Sequence, residues 1–286
     1  MERHHQHRRG QKKRLPYVVL LIVFAAAAGC SGYFILCHSH ARTAGPPREK
    51  IAAVSSKPTA SSKERVAASS KPTPSSEGRP ESQQAVINVS HINQEDFLPA
   101  GCELASAMML LNYYGRSTTA DEIIKRTPKS FLLSDGGAVY GMSPSQAFIG
   151  DPRSQDGLGC YAPVVTAVID SYFWDEGKKE AVNATGTDLD TLVKNYIAKG
   201  SPVLVWATVD MKEPGKGKSW TLADTNENFQ WIAGEHCLLM VGYDSEKYYF
   251  NDPLDSSGTV GYRKTLVKDR YGALGKQAVT VRSVSH

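Results

Sequence analysis

Residues 94–115, QEDFLPAGCELASAMMLLNYYG, predict a buried helix with a cysteine in its first turn. Between Cys102 and Tyr113 the apolar side chains recur at spacings of three and four and leave little of the helix circumference polar. The segment 99–101 interrupts the chain before the helix, and Gly115 follows it where a left-handed C-terminal cap is expected. A helix that is apolar on nearly every side belongs at the centre of a domain, so we expect the domain to pack around it.

The position of Cys102 predicts a reactive thiol. At the start of a helix, unpaired backbone N–H groups and the helix dipole stabilise a thiolate and lower the thiol pKa toward neutrality. The alternative is that Cys102 is a small buried apolar side chain, as many unpaired cysteines are. This stretch alone leaves both interpretations open.

The N-terminus predicts a membrane anchor. Residues 1–14 are strongly basic and form a predicted cytoplasmic tail, and residues 15–37 are 23 residues without a charge. As a helix, this run extends about 34 Å, enough to cross a hydrocarbon core of about 30 Å. The basic flank keeps the N-terminus inside the cell. We therefore expect a single-pass signal-anchor in the cell membrane, with everything after residue 37 extracytoplasmic.

Two other forms of export remain open for the same segment. A cleaved signal peptide would have a shorter apolar core, whereas here the hydrophobicity continues through residues 33–36. Residues 27–30, Ala-Ala-Gly-Cys, resemble a bacterial lipoprotein cleavage site, which would place a lipid anchor on Cys30. All three interpretations predict export.

Residues 38–85 form a predicted disordered linker. The segment is rich in Ser, Pro and Lys, and it repeats SSKPT at Ser55 and Ser69. Such a composition cannot bury a core. The linker is suited to holding a domain away from a membrane or within a cell wall, so a cell-wall partner is also considered.

Residues 86–286 have the length of one globular domain. They contain 19 Lys and Arg against 24 Asp and Glu, so the overall charge of +4 comes from the N-terminal segments. An acidic domain gives no reason to expect a nucleic-acid partner.

Three cysteines lie in this domain, Cys102, Cys160 and Cys237, so at least one thiol is free unless it pairs between chains. A bond between Cys160 and Cys237 is possible on spacing, and Cys160 is the competing candidate nucleophile. The few scattered histidines do not match a zinc site of familiar spacing. We expect no metal and no other cofactor.

The pattern of the domain predicts an α+β fold in which helices come first and mostly antiparallel strands follow. The long segment 131–159 lacks periodicity and is expected to border the functional cleft. Helices are predicted at 120–126, 161–174 and 187–199, the last capped by Thr187, and strands at 85–92, 202–209, 238–243, 248–251 and 278–284. Residues 202–209 are continuously apolar, as expected of a strand that is buried on both faces.

A base for Cys102 is predicted on the hairpin of residues 236–252. A cysteine nucleophile needs a nearby base, normally histidine, and a third group that orients it. With a three-residue turn, Asp252 lies opposite Leu238 and shares a face with His236. His91 could meet the thiol only by a sharp return of the chain. Gln94, in the loop before the helix, could form an oxyanion hole with the Cys102 backbone N–H.

Several separated motifs together resemble a known family. The sequence resembles exported peptidase-like proteins related to the bacteriocin-leader-processing cysteine peptidases, and the resemblance covers about residues 86–284. It is carried by Gln94, Gly101-Cys102-Glu103 with Ser106, 111–115, 159–162, Pro202-Val203 with Trp206, 235–237, 241–244 and 251–253.

The resemblance implies a papain-like fold with N-terminal helices packed on a mostly antiparallel sheet. It implies Cys102 as nucleophile, His236 as base, Asp252 as orienting residue and Gln94 in the oxyanion hole. Cleavage after a double glycine is not implied, because this chain has no attached transporter.

These observations predict a membrane-anchored, extracytoplasmic cysteine peptidase of a Gram-positive type of bacterium, acting on a peptide or protein substrate. The alternatives are a peptidoglycan amidase or endopeptidase, or an acyl transferase, with the same residues. A non-catalytic surface binding module on a peptidase-like fold is a third possibility.

Overall fold

The structure is a computed structural model that describes residues 49–50, 84–175 and 177–284, all within one compact unit that spans residues 44–286. The described residues form five α-helices and three sheets, and most strand pairs are antiparallel. This confirms the predicted α+β class. The helices are α1 (Cys102–Tyr113), α2 (Ala120–Arg126), α3 (Ala162–Asp170), α4 (Leu189–Asn195) and α5 (Lys264–Ala273).

Strands are numbered along the chain. They are β1 (Glu49–Lys50), β2 (Ala85–Val86), β3 (Lys129–Ser130), β4 (Leu133–Asp135), β5 (Ala138–Gly141), β6 (Phe148–Ile149), β7 (Lys179–Asn183), β8 (Val203–Thr208), β9 (Gly215–Leu222), β10 (Asn228–Ala233), β11 (Glu235–Tyr243), β12 (Lys247–Asn251), β13 (Thr259–Arg263) and β14 (Ala278–Ser283). The main sheet has the order β1-β13-β12-β11-β8-β14-β7, and β2 pairs with β11.

Helix α1 begins at Cys102, as predicted, and its residues from Cys102 to Leu111 are all buried. It ends at Tyr113, and Gly115 adopts a left-handed φ of 75°. This conformation lets the Arg116 N–H reach the Leu111 carbonyl, which closes the last turn. The predicted central helix is therefore confirmed at both ends.

Strand β8 shows why the sheet is buried on both faces. Its six residues are all buried, and they alternate between two hydrophobic cores. Leu204 and Trp206 contribute to a core with α1 and α3, whereas Val203 and Val205 contribute to a core with α4 and α5. The continuous apolar pattern of this stretch thus has the predicted cause.

The hairpin of β11 and β12 has the predicted register at the site, although its turn differs. Tyr243 pairs with Tyr248, so the turn is one residue longer than expected. A bulge between Met240 and Gly242 compensates for that residue, and Leu239 pairs with Asn251. Asp252 consequently follows the strand at the position opposite Leu238.

Three predicted elements are shorter than expected. The first strand, predicted at 85–92, is only β2, and the helix predicted at 161–174 ends at Asp170. The helix predicted at 187–199 is α4 followed by one 3-10 turn. Its N-cap is Asp188 rather than Thr187, and the Asp188 carboxylate accepts a hydrogen bond from Lys276 instead of capping the helix.

The sequence missed a second sheet, with the order β10-β9-β5-β4. The segment 131–159, predicted as a loop, contains β4, β5 and β6. Strands β9 and β10 were not predicted, and in β9 the residues Gly215, Lys216 and Lys218 break the apolar pattern. This sheet packs Trp220 and Trp231 into a small separate core.

The predicted tail, anchor segment 15–37 and most of the linker lie outside the described residues, as does Cys30. Residues 49–50 of the predicted linker form β1, which pairs with β13. In the described part of the chain, every helix is too short or too polar to cross a bilayer.

Candidate active site

The start of α1, the start of β11 and the turn after β12 meet at one cavity of about 240 Å³. Its walls include Cys102, His236 and Gln94, three of the four predicted site residues. Asp252, the fourth, is hydrogen-bonded to His236. The structure therefore brings together all four residues that the sequence singled out.

His236 and Asp252 form a buried pair. His236 Nε2 lies 2.7 Å from Asp252 Oδ1, and both side chains are almost fully buried. The same Asp252 oxygen accepts the backbone N–H of Leu254 at 2.9 Å. Because a carboxylate accepts a hydrogen, the pair places the ring hydrogen on Nε2 and leaves Nδ1 able to take a proton.

The Asp252 turn is held by the segment that precedes α1. His91 Nε2 donates to the Asp252 carbonyl at 2.7 Å, and Asn251 Nδ2 donates to the Val89 carbonyl at 2.8 Å. The Gln94 backbone N–H donates to Pro253 at 2.9 Å. The sequence considered His91 only as a base, and the structure shows it instead as a residue that positions Asp252.

Cys102 is anchored between α1 and β11. Its Sγ accepts the backbone N–H of Cys237 at 3.3 Å and donates to Glu103 Oε2 at 3.4 Å. Ser106, one turn later, donates to the Cys237 carbonyl at 3.0 Å. The two hydrogen bonds at Cys237 fix the first turn of the helix against the strand that carries His236.

The thiol pKa does not follow the expectation from the helix start. Burial raises the pKa of the Cys102 thiol well above its ordinary value, and the nearby carboxyl groups of Glu103 and Glu235 raise it further. The hydrogen bond from Cys237 acts in the opposite direction. In this arrangement the predicted lowering of the pKa by the helix is outweighed by burial and by neighbouring acids.

Glu103 and Glu235 are the residues that the sequence analysis missed. Burial raises the pKa of Glu103 from 4.5 to about 7, and burial together with Glu103 raises the pKa of Glu235 well above its ordinary value. Each of them is adjacent in sequence to a predicted site residue, as Cys102-Glu103 and Glu235-His236. The sequence signal that could have pointed to Glu103 and Glu235 is that each stands next to a predicted site residue.

The Cys102 sulfur and the two carboxyl groups lie within 4.8 Å of one another, a spacing that could in principle suit a metal ion. However, Glu103 Oε1 accepts the Cys160 N–H at 2.6 Å, and its Oε2 accepts the thiol. With both Glu103 oxygens already occupied, we interpret the cluster as a group that shares protons. The absence of a metal stays a prediction.

Gln94 is buried beside the cavity, and its side chain is already engaged. Its Nε2 donates to the carbonyls of Leu98 at 3.1 Å and Pro99 at 3.2 Å. Its Oε1 is buried and has no hydrogen-bond partner among the described residues. To stabilise an oxyanion, the amide must redirect one N–H, so this role stays a prediction.

The other two thiols of the domain do not line the cavity among the described residues. Cys160 and Cys237 are fully buried and, like Cys102, are unpaired, so the disulfide that the sequence left open is not formed. Cys237 belongs to the core beneath α1, as expected from its position after His236. The cavity wall includes Cys102 but neither Cys160 nor Cys237 among the described residues.

The segment 131–159 reaches the cavity, as predicted. Gln155, Gly157 and Leu158 form part of its wall, and Trp231 from β10 lies on another side. Trp231 stacks on Tyr161 with ring centroids 5.5 Å apart. The unpredicted second sheet therefore supplies an aromatic wall of the site.

The comparisons with known proteins decide the family. A family model described as the Peptidase_C39 like family matches residues 86–279. The chain belongs to this family. Among curated proteins, the C39-like chain is 26% identical over 187 residues to YvpB of Bacillus subtilis strain 168, an uncharacterised protein. That match covers 64% of this chain and 69% of YvpB.

A solved structure supports the fold. The C39-like chain is similar to the crystal structure of a Bacillus anthracis protein that is classed as a C39-like peptidase, with 25% identity and a TM-score of 0.59. The similarity covers 70% of this chain and 98% of the other. The fold is thus the papain-like one that the resemblance implied, and the protein is peptidase-like.

Proposed function

We propose that this protein is a cysteine peptidase in which Cys102 is the nucleophile, His236 the base and Asp252 the residue that orients the base. The observation that carries the proposal is the joint placement of Cys102 and His236 on one cavity wall, with Asp252 hydrogen-bonded to His236 at 2.7 Å. Cys102 belongs to α1, His236 to β11 and Asp252 to the turn after β12, so the arrangement depends on the whole fold.

The reaction begins when the Cys102 proton moves to His236 Nδ1 and the thiolate attacks the substrate carbonyl carbon. The resulting oxyanion is stabilised by the Cys102 backbone N–H, which lies at the start of α1 where no preceding turn accepts it, and by a redirected Gln94 amide. His236 then returns the proton to the leaving amine, and a thioester on Cys102 remains.

Water completes the cycle. It attacks the thioester while His236 accepts one of its protons, and collapse of the second tetrahedral intermediate releases the carboxylic acid and regenerates the Cys102 thiol. Asp252 holds the ring hydrogen of His236 on Nε2, so Nδ1 of His236 stays available for both proton transfers.

The proposal also includes an extracytoplasmic location. It is supported by the uncharged run of residues 15–37 after a basic segment, and a lipid anchor at Cys30 is the alternative. Labelling cells with a palmitate analogue separates the two anchors, since a lipid on Cys30 would replace the membrane-spanning interpretation.

Cleavage of an unbiased peptide mixture tests the activity. The full-length protein is incubated with peptides from a digested proteome, and new termini are identified by mass spectrometry. Wild type and Cys160→Ala are expected to produce the same new termini, whereas Cys102→Ala produces none. Equal cleavage by Cys102→Ala, or no cleavage by wild type, would contradict the proposal.

A further inference from the structure

Two acids lie beside the proposed nucleophile, with ligand atoms of both and the Cys102 sulfur within 4.8 Å of one another, and the reaction described above does not use them. Glu103 is completely buried in the first turn of α1, whereas Glu235 opens β11, is half-buried and forms part of the cavity wall. Glu235 and Cys237 are two residues apart on the strand, so both side chains point to the sheet face on which α1 packs. The two carboxyl groups therefore approach Cys102 from different elements.

Gly159 has no side chain and so leaves space for the carboxyl groups of Glu103 and Glu235. Gly159 adopts a φ of 138°, and a Cβ atom there would collide with Glu103 Oε1 and would lie 3.3 Å from Glu235 Oε2. The next residue, Cys160, donates its N–H to Glu103 Oε1 at 2.6 Å. The 159–160 backbone thus contacts Glu103 through a hydrogen bond, and the missing side chain at Gly159 leaves space for both carboxyl groups.

The surroundings of the pair contain little positive charge. In the described part of the chain, five titratable groups interact electrostatically with Glu103 or Glu235. They are the thiols of Cys102, Cys160 and Cys237, the phenol of Tyr161 and the imidazole of His236. Only the imidazole can become a cation. Two carboxylates this close in a buried site cannot both ionise readily, so near neutral pH the pair retains a proton.

The thiol is hydrogen-bonded to one member of this pair, Glu103. Cys102 Sγ donates to Glu103 Oε2 at 3.4 Å, and Glu235 Oε1 is buried without a hydrogen-bond partner among the described residues. A negative charge on Glu103 would oppose a second negative charge on the sulfur. The thiol proton therefore points to Glu103 in this structure, and it must leave that hydrogen bond to reach His236.

We propose that Glu103 and Glu235 form a proton-sharing pair that holds the resting Cys102 thiol protonated, with Glu103 as a positioning residue of the reaction centre. The inference rests on the proposed function only in treating Cys102 as the nucleophile. The charge of the pair then sets the pH range over which Cys102 becomes reactive. Glu103 contacts the sulfur and does not belong to the cavity wall among the described residues, so it acts through Cys102.

The test is the pH dependence of Cys102 alkylation in full-length protein, with no peptide present. Iodoacetamide labelling of the Cys102 peptide is followed by mass spectrometry for wild type and Glu103→Gln. Removing the charge lowers the thiol pKa. For each pKa unit the thiolate fraction rises about tenfold, and the weaker nucleophilicity of a less basic thiolate reduces the gain in rate at neutral pH to about threefold.

The control is Glu95→Gln, which removes an exposed acid from the neighbouring loop and is expected to leave the profile unchanged. The buried Cys160 and Cys237 report folding, because they become labelled only if the protein opens. A folded Glu103→Gln protein that is alkylated at the wild-type rate, or more slowly, overturns the inference.

A second measurement keeps the inference testable if Glu103→Gln does not fold. Infrared spectroscopy of the wild type should show a protonated carboxyl band that titrates at about pH 7, where the pKa of Glu103 lies. Absence of such a band overturns the inference. Neither readout depends on peptide cleavage, so a failed acid pair and a failed peptidase assignment give different results.

Discussion

Asp252 Oδ1 lies 2.7 Å from His236 Nε2 and also accepts the backbone N–H of Leu254, so one carboxylate oxygen joins the imidazole to the turn after β12. The Asp252 carbonyl in turn accepts a hydrogen bond from His91. The position of the proposed base is therefore set by two segments that are far apart in sequence.

Replacing Asp252 with Ala should lower kcat for peptide cleavage by about 10²-fold or more, because His236 loses the partner that fixes its tautomer. Alkylation of Cys102 should slow as well, since cleavage and alkylation both depend on His236 as the base. The matched control is Asp255→Ala, which removes a carboxylate that bonds to Ser257. Equal effects of the two substitutions would contradict the assigned role.

Replacing Gln94 with Ala should lower kcat by about 10²–10³-fold if its amide stabilises the oxyanion. Alkylation of Cys102 should be unchanged, because that reaction forms no oxyanion. Comparing the two rates in one protein separates this role from a structural one. A parallel loss of alkylation and cleavage would indicate that Gln94 mainly supports the loop through its bonds to Leu98 and Pro99.

Gln155 is exposed and lies in the cavity wall, so we expect it to contact substrate. Gln155→Ala should raise KM several-fold and leave kcat and thermal stability almost unchanged, since exposed substitutions usually alter stability by less than about 0.5 kcal/mol. Gln146→Ala is the control, because Gln146 bonds to Asp224 and is absent from that wall. If both variants behave like wild type, Gln155 has no part in substrate binding.

Stability should fall as pH rises from about 4.5 to about 7. The pKa of Glu103 is raised in the folded state from 4.5 to about 7, so over this range the folded protein binds more protons than the unfolded chain. The free energy of unfolding then decreases by up to about 3 kcal/mol across the window. Glu235 contributes in the same direction, because its pKa is also raised.

Urea unfolding of wild type and Glu103→Gln at about pH 5 and about pH 8 measures this dependence. The variant should lose less stability than wild type between the two conditions, since it lacks one of the titrating groups. An identical loss in both proteins would show that Glu103 does not titrate in this range.

The sequence predicted the elements whose pattern is set by burial. Helix α1 and strand β8 are apolar along their length because both are central, and this signal does not depend on distant partners. The register that places Asp252 opposite Leu238 was also correct. It holds only because the bulge at Val241 offsets a longer turn, which a pairing rule cannot foresee.

The rest depended on contacts between distant segments. Helix α5 was missed because its sequence, KTLVKDRYGA, is largely polar and only Val267, Arg270 and Tyr271 are buried. The sequence shows an acid next to Cys102 and another next to His236, but only the packing of α1 on β11 brings Glu103 and Glu235 together. The raised pKa of Cys102 follows from these neighbours and from burial, so the helix-start argument alone gave the wrong direction.

The most direct test of the central claim is the alkylation rate of Cys102 in the folded full-length protein, measured with and without His236. Cys102 should react faster than Cys160 and Cys237, and His236→Ala should reduce its rate while the other two remain protected. If Cys102 reacts no faster than Cys160, or if His236→Ala leaves its rate unchanged, Cys102 is not the nucleophile of a peptidase.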